Sequence, residues 1–120
     1  SCPDKLAFDK NGNLWVATDI SGSSIGKGPY TQFKNNGLFV IPTSGPQAGI
    51  PIQVGSAPVQ AEMTGLCFSP DYKTLFVSVQ HPGEKSQDPF KNPTSTWPDG
   101  GVPKSSVVAV SGPLLEQIVL

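Results

Sequence analysis

The chain carries an internal repeat about sixty residues long, and this repeat restricts the possible folds more than any other feature. The segment LAFDKNGNLWVATD at 6–19 matches LCFSPDYKTLFVSVQ at 66–80 with one inserted residue. Each copy has the pattern of a strand, a polar turn and a second strand. The Asn11-Gly12 pair favours a tight hairpin in the first copy. The repeat therefore predicts two similar units of antiparallel strands.

The layout of each unit is typical of a β-propeller blade, which contains four antiparallel strands. The segments GLFVIPTSGP at 37–46 and SSVVAVSGP at 105–113 add a later strand to each unit. We therefore expect an all-β fold, with one blade-like repeat in residues 1–60 and a second in residues 61–120 of one propeller domain. A propeller closes with about four to eight blades. The chain is thus expected to form about two blades of a six-bladed propeller.

The composition agrees with short strands joined by turns, because thirteen glycines and thirteen prolines are too many for a helical protein. A net charge of −1 and the absence of arginine give no electrostatic basis for binding nucleic acid or an anionic membrane. No apolar run approaches the roughly 18–20 residues of a membrane-spanning helix. We therefore expect neither a nucleic-acid partner nor a membrane span. The start at Ser1, without methionine or signal peptide, suggests a processed product or an excised piece.

An isolated pair of blades leaves apolar faces without a partner, because blades normally stack on both sides. Trp15, Phe39, Phe68 and Phe76 are the large apolar side chains that need such partners. We therefore expect the isolated chain to associate with copies of itself.

The two cysteines, Cys2 and Cys67, do not have the spacing of a metal site. Whether they pair in a disulfide stays open at this point. Cys67 lies between Leu66 and Phe68 in a strand pattern, which predicts a buried structural thiol.

Carboxylates near strand ends are the residues best suited to bind a metal ion, because their oxygens suit hard cations such as calcium or iron. Glu62 and Asp4 each lie just before the first strand of a repeat, at the end that faces the funnel of a propeller. Glu62 is the first candidate ligand and Asp4 the second. The alternatives are a solvated side chain for Glu62 and a turn cap for Asp4. Asp9 and Asp71 lie in hairpin turns, where we expect them to accept local hydrogen bonds.

A second group of polar residues lies where the later hairpin strands end. Asp19 and Gln80 occupy equivalent repeat positions, and His81 and Glu84 follow Gln80 around a Pro-Gly turn. These four residues are candidates for the rim of the site or for a layer behind the metal ligands. For His81, the only histidine of the chain, the alternative is a hydrogen-bond clamp on that turn.

The segments AEMTGLCFSPDYKTLFVSVQHPGE and TSTWPDGGVPKSSVVAV resemble the C-terminal part of PhoX-type alkaline phosphatases. The segment SCPDKLAFDKNGNLWVATD is similar to the preceding blade of that family. The resemblance implies a periplasmic or extracellular propeller that hydrolyses phosphate esters at a centre of calcium and iron ions. It implies Glu62 and Asp4 as metal ligands, with Gln80, His81 and Glu84 as rim or blade-locking residues.

The chain departs from the family pattern at Lys5, where an asparagine is usual, and at Lys104, where an arginine is common. The resemblance also places most metal ligands, a cysteine among them, upstream of Ser1. We therefore expect a fragment that is catalytically inactive alone. Two alternatives stay open: a calcium-dependent lactonase-like propeller hydrolase, and a non-catalytic propeller that serves as a binding platform.

Overall fold

The computed structural model describes residues 3–21, 24–32 and 34–119. These residues form two antiparallel β-sheets, so the prediction of an all-β fold made of antiparallel blades is confirmed. The first sheet has four strands, in the order β1 (Pro3–Phe8), β2 (Leu14–Thr18), β3 (Gly37–Ile41) and β4 (Ile52–Ser56). The second sheet has three, in the order β5 (Glu62–Phe68), β6 (Thr74–Gln80) and β7 (Ser106–Ser111).

Two short helical segments accompany the sheets. A 3-10 turn spans Gly28–Tyr30 between β2 and β3, and helix α1 spans Pro113–Val119 after β7. None of the helices in the described part of the chain is long and apolar enough to cross a lipid bilayer.

Aspartates close both hairpin turns, as predicted. Asp9 accepts a hydrogen bond from the Asn11 backbone N–H at 2.9 Å, and Asp71 accepts one from the Lys73 backbone N–H at 3.1 Å. The second oxygen of Asp9 also accepts the indole N–H of Trp15 at 3.0 Å. This last bond ties the first turn to the core, and it was not expected from the sequence.

The first strand of each sheet contains a register shift near its start. In β1 the shift lies between Pro3 and Lys5, and in β5 it lies at Gly65, between residues 64 and 66. Gly65 has a φ of 49°, and a Cβ at this position would lie 3.0 Å from the Ser78 hydroxyl oxygen. A glycine fits here because a side chain would meet both backbone strain and a close contact.

The core lies between the facing sheets, where β5 packs against β1 and β2. Trp15 is 1% exposed, and its ring meets the Phe68 ring edge-on, with centroids 5.7 Å apart. Further apolar side chains from both sheets complete this core: Ala17, Leu38, Val40, Met63, Leu75, Val77 and Val79. Trp15 and Phe68 therefore find within the chain the partners that were expected from a second copy.

The prediction that Cys67 is buried is wrong. Cys67 is exposed, because the pleat of β5 directs it away from the face on which Leu66 and Phe68 pack toward the core. Cys2 lies outside the described residues, so the pairing of the two cysteines stays untested.

Candidate functional site

Two carboxyl groups from different sheets meet at one end of the molecule. Asp19 directly follows the last residue of β2, and Glu62 is the first residue of β5. Asp19 lies near enough to Glu62 for its negative charge to raise the pKa of the Glu62 carboxyl. Asp19, expected at the rim, thus lies beside the first candidate ligand.

The surroundings raise the pKa of Glu62 above its usual value. Partial burial is the largest cause, since it disfavours the charged form. The negative charges of Asp19 and Glu84 act in the same direction, while His81 acts against them. Acidic groups that repel one another in this way form a place where a cation would be stabilised.

This raised pKa predicts that Glu62→Gln stabilises the metal-free chain at neutral pH. A carboxyl group with a higher pKa in the folded state holds its proton more tightly there, so its contribution to stability is fully present below about pH 4.3. That contribution is lost as the pH rises through the raised folded value. Glutamine imitates the protonated form, so the advantage of the variant should be largest at pH 7 and should vanish in acid.

Urea unfolding in the presence of a chelator, followed by circular dichroism between pH 3 and pH 7, measures this difference. Glu116→Gln, in α1, is the matched control for the loss of one carboxylate. An equal advantage of Glu62→Gln at all pH values would contradict the prediction.

Gln80 and His81 also lie at this end of the second sheet. Gln80 is the direct partner of Glu62 in the pairing of β5 with β6, and His81 lies near enough to influence the charge of Glu62. His81 has a φ of 53°, and its backbone N–H donates to the Ser105 hydroxyl at 3.1 Å. The turn is thus held through the His81 backbone, while the His81 side chain lies near the Glu62 carboxyl.

The long loop over residues 82–105 is anchored beside the site by Gln60. The side-chain oxygen of Gln60 accepts the Lys85 backbone N–H at 2.9 Å and the Thr94 hydroxyl at 2.7 Å. Because Lys85 follows Glu84 directly, this anchor holds Glu84 near the start of β5. Nothing in the local sequence pattern indicates this role, since it depends on residues 25 and 34 positions away.

Asn36 is a second important residue that the sequence pattern does not indicate. It lies in a polar connection between β2 and β3, yet it is completely buried. Its side-chain amide is hydrogen bonded to Thr18 and Ile20 in the first repeat and to the Ala61 carbonyl at the start of the second. One side chain therefore links the two segments that carry Asp19 and Glu62.

Asp4 occupies a different position from Glu62. It lies in the register shift of β1, forms an ion pair with Lys5 at 3.6 Å, and lines a groove on the outer face of the first sheet. The alignment of the two repeats pairs Asp4 with Thr64 rather than with Glu62. Both charged groups of the ion pair are substantially exposed, so this contact adds little stability.

In residues 3–21, 24–32 and 34–119, no group of three or more His, Cys, Asp and Glu side chains is placed to hold a metal ion. The Asp19–Glu62 pair can therefore supply only part of a coordination sphere. The carboxylate oxygens of this pair are hard ligands, of the kind that suits calcium or iron when further ligands complete the site.

Comparison with known proteins identifies the family. The family model described as alkaline phosphatase PhoX matches residues 1–83. A solved structure of Pseudomonas fluorescens PhoX, in complex with vanadate, a transition state analogue, is similar with a TM-score of 0.69 and 38% sequence identity. This similarity covers 91% of the present chain and 17% of that chain, while no curated protein matches significantly. The chain therefore belongs to the PhoX alkaline phosphatase family.

Proposed function

We propose that the chain forms two blades, residues 1–60 and 61–120, of a larger propeller enzyme that hydrolyses phosphomonoesters with calcium and iron. The observation that carries this proposal is the proximity of two acidic side chains from different sheets, Asp19 directly after β2 and Glu62 at the start of β5. Membership of the PhoX family supports it. The complex of the similar Pseudomonas fluorescens protein with vanadate supports a phosphate ester as substrate.

In this proposal Glu62 is the leading metal ligand, and Asp19 supplies a second carboxylate beside it. Asp4 remains a proposed ligand at a separate position of the first sheet. Bound cations would neutralise phosphate charge and act as Lewis acids. The chain's own residues hold these carboxylates in place, and Gln80, His81 and Glu84 form the rim.

The phosphatase assignment takes precedence over the lactonase-like alternative, because the matching family consists of phosphatases. We propose a periplasmic or extracellular location, for which the family is the support. The remaining alternative, a propeller that only binds a partner, becomes an outcome of the following experiment.

We expect Glu62→Gln to lower metal content and phosphatase activity in the full-length enzyme that contains this segment. Loss of a carboxylate ligand should reduce metal affinity at least about tenfold. Elemental mass spectrometry for calcium and iron, together with turnover of p-nitrophenyl phosphate, measures both effects. The present chain alone should show no turnover with both metals added, since it holds only part of the ligand set.

Glu116→Gln is again the matched control and should leave metal content unchanged. An enzyme that contains no metal would overturn the proposal and favour a binding platform. Turnover by the present chain alone, lost in Glu62→Gln, would disprove its expected inactivity.

We also propose that the isolated chain self-associates through the outer face of the first sheet. Leu6 is 60% exposed and Phe8 is 62% exposed in β1, the first strand of this sheet. Their side chains leave an apolar surface without a partner in the described part of the chain. Sedimentation velocity should show dimers or larger species whose share grows with concentration. The double variant Leu6→Lys, Phe8→Lys should be monomeric, and a monomeric wild type would contradict the proposal.

A further inference from the structure

We propose that Asn36 is a positioning residue that sets the spacing between the carboxyl groups of Asp19 and Glu62. This inference rests on the proposed function for its importance, because the two carboxyl groups are the proposed metal-binding pair. Its physical basis is independent of any metal, and its test uses the metal-free chain.

The side-chain amide of Asn36 makes four hydrogen bonds in a completely buried place. Its oxygen accepts the Ile20 backbone N–H at 2.6 Å and the Thr18 hydroxyl at 3.1 Å. Its nitrogen donates to the Ile20 carbonyl and to the Ala61 carbonyl, both at 2.9 Å. A primary amide has two donors and two acceptor sites, so all of its hydrogen-bonding capacity is used.

The partners of this amide lie directly beside the two carboxylates in the chain. Ile20 follows Asp19, and Ala61 precedes Glu62. Because the amide group is planar and its bonds are fixed in direction, it sets the distance between the two backbone segments. The bond to Ala61 is the one that crosses from the first repeat to the second.

Asn36 is itself held firmly. Its backbone carbonyl oxygen accepts the Ala57 N–H at 2.8 Å, and the backbone N–H of the next residue, Gly37, donates to the Thr18 hydroxyl at 2.9 Å. The backbone of Asn36 is therefore fixed. From this position its side-chain amide holds Ile20, next to Asp19, and Ala61, next to Glu62. A side chain that only filled space would lack this directional hold on both segments.

The experiment measures how strongly Glu62 responds to a change at Asp19. In chelator and at one fixed pH, Asp19→Asn should move the carboxyl ¹³C resonance of Glu62 in the wild-type background. In the Asn36→Ala background this response should fall to less than half. An undiminished response would overturn the proposal and leave Asn36 a purely structural role.

Thr18→Val is the matched control for lost stability. It removes the buried hydrogen bonds of the Thr18 hydroxyl to the Asn36 amide and from the Gly37 N–H, but keeps the bond between Asn36 and Ala61. This variant should be less stable than wild type and yet keep the full response of Glu62. Loss of the response in Thr18→Val would show that stability, rather than position, controls the response, and would overturn the proposal.

A measurement on the wild type covers the case in which Asn36→Ala does not fold. Scalar coupling across hydrogen bonds should connect the side-chain nitrogen of Asn36 to the carbonyl carbons of Ile20 and Ala61. Absence of the coupling to Ala61 would overturn the proposal without any variant. If the coupling and the response are found but the full-length enzyme holds no metal, the proposed function fails and the positioning role stands.

Discussion

Replacing Trp15 with alanine should lower the free energy of unfolding by about 3–5 kcal/mol. Trp15 is 1% exposed between the two sheets, packs against Phe68, and donates its indole N–H to Asp9. The change would remove the largest side chain of the core and leave a cavity. Since domains are stable by only about 5–15 kcal/mol, the variant should lose a large part of its stability. Urea unfolding followed by circular dichroism measures the loss.

Two further variants separate the causes. Trp15→Phe keeps most of the apolar contact and removes the hydrogen bond to Asp9, so the expected loss is about 1–2 kcal/mol. Phe90→Ala, at a position 80% exposed, should change stability by no more than about 0.5 kcal/mol. A loss below about 1 kcal/mol in Trp15→Ala would mean that the sheets do not pack on this side chain.

Replacing Asn36 with alanine should lower the free energy of unfolding by about 3 kcal/mol or more. The change leaves the N–H and the carbonyl of Ile20 and the carbonyl of Ala61 without their partner in a buried place. Each unsatisfied buried group typically costs about 1–3 kcal/mol, although local rearrangement reduces the sum. The same unfolding experiment measures this effect.

The exposed Asn92 provides the control for Asn36, because Asn92→Ala makes the same chemical change at the surface. It should alter stability by no more than about 0.5 kcal/mol. A similar small effect in Asn36→Ala would show that solvent reaches the junction and replaces the lost hydrogen bonds.

The hairpins could be predicted because their signals are local. The match of 6–19 with 66–80 places the strands and turns, and the alternating pattern identifies them as β-strands. The same alternation does not say which of two apolar faces is covered. Cys67 was assigned to the core for this reason, although the outer face of β5 carries it.

The candidate site could be predicted only in part. Glu62 is opposite Gln80 in one hairpin, and His81 and Glu84 follow Gln80 in the next turn, so the grouping of these four residues follows from one hairpin and one turn. The proximity of Asp19 to Glu62 depends on how two sheets dock, which no short segment encodes. Two polar side chains make the long-range bonds that fix this docking and the neighbouring loop, namely those of Asn36 and Gln60.

The bond between Asn36 and Ala61 also has a consequence for the order of folding. The turn contact between Asp9 and Trp15 spans six positions, whereas the bond from Asn36 to Ala61 spans 25. Short loops close at a lower entropic cost than long ones, so the hairpins can form before the sheets dock. The two segments that carry Asp19 and Glu62 are therefore brought together after the hairpins have formed.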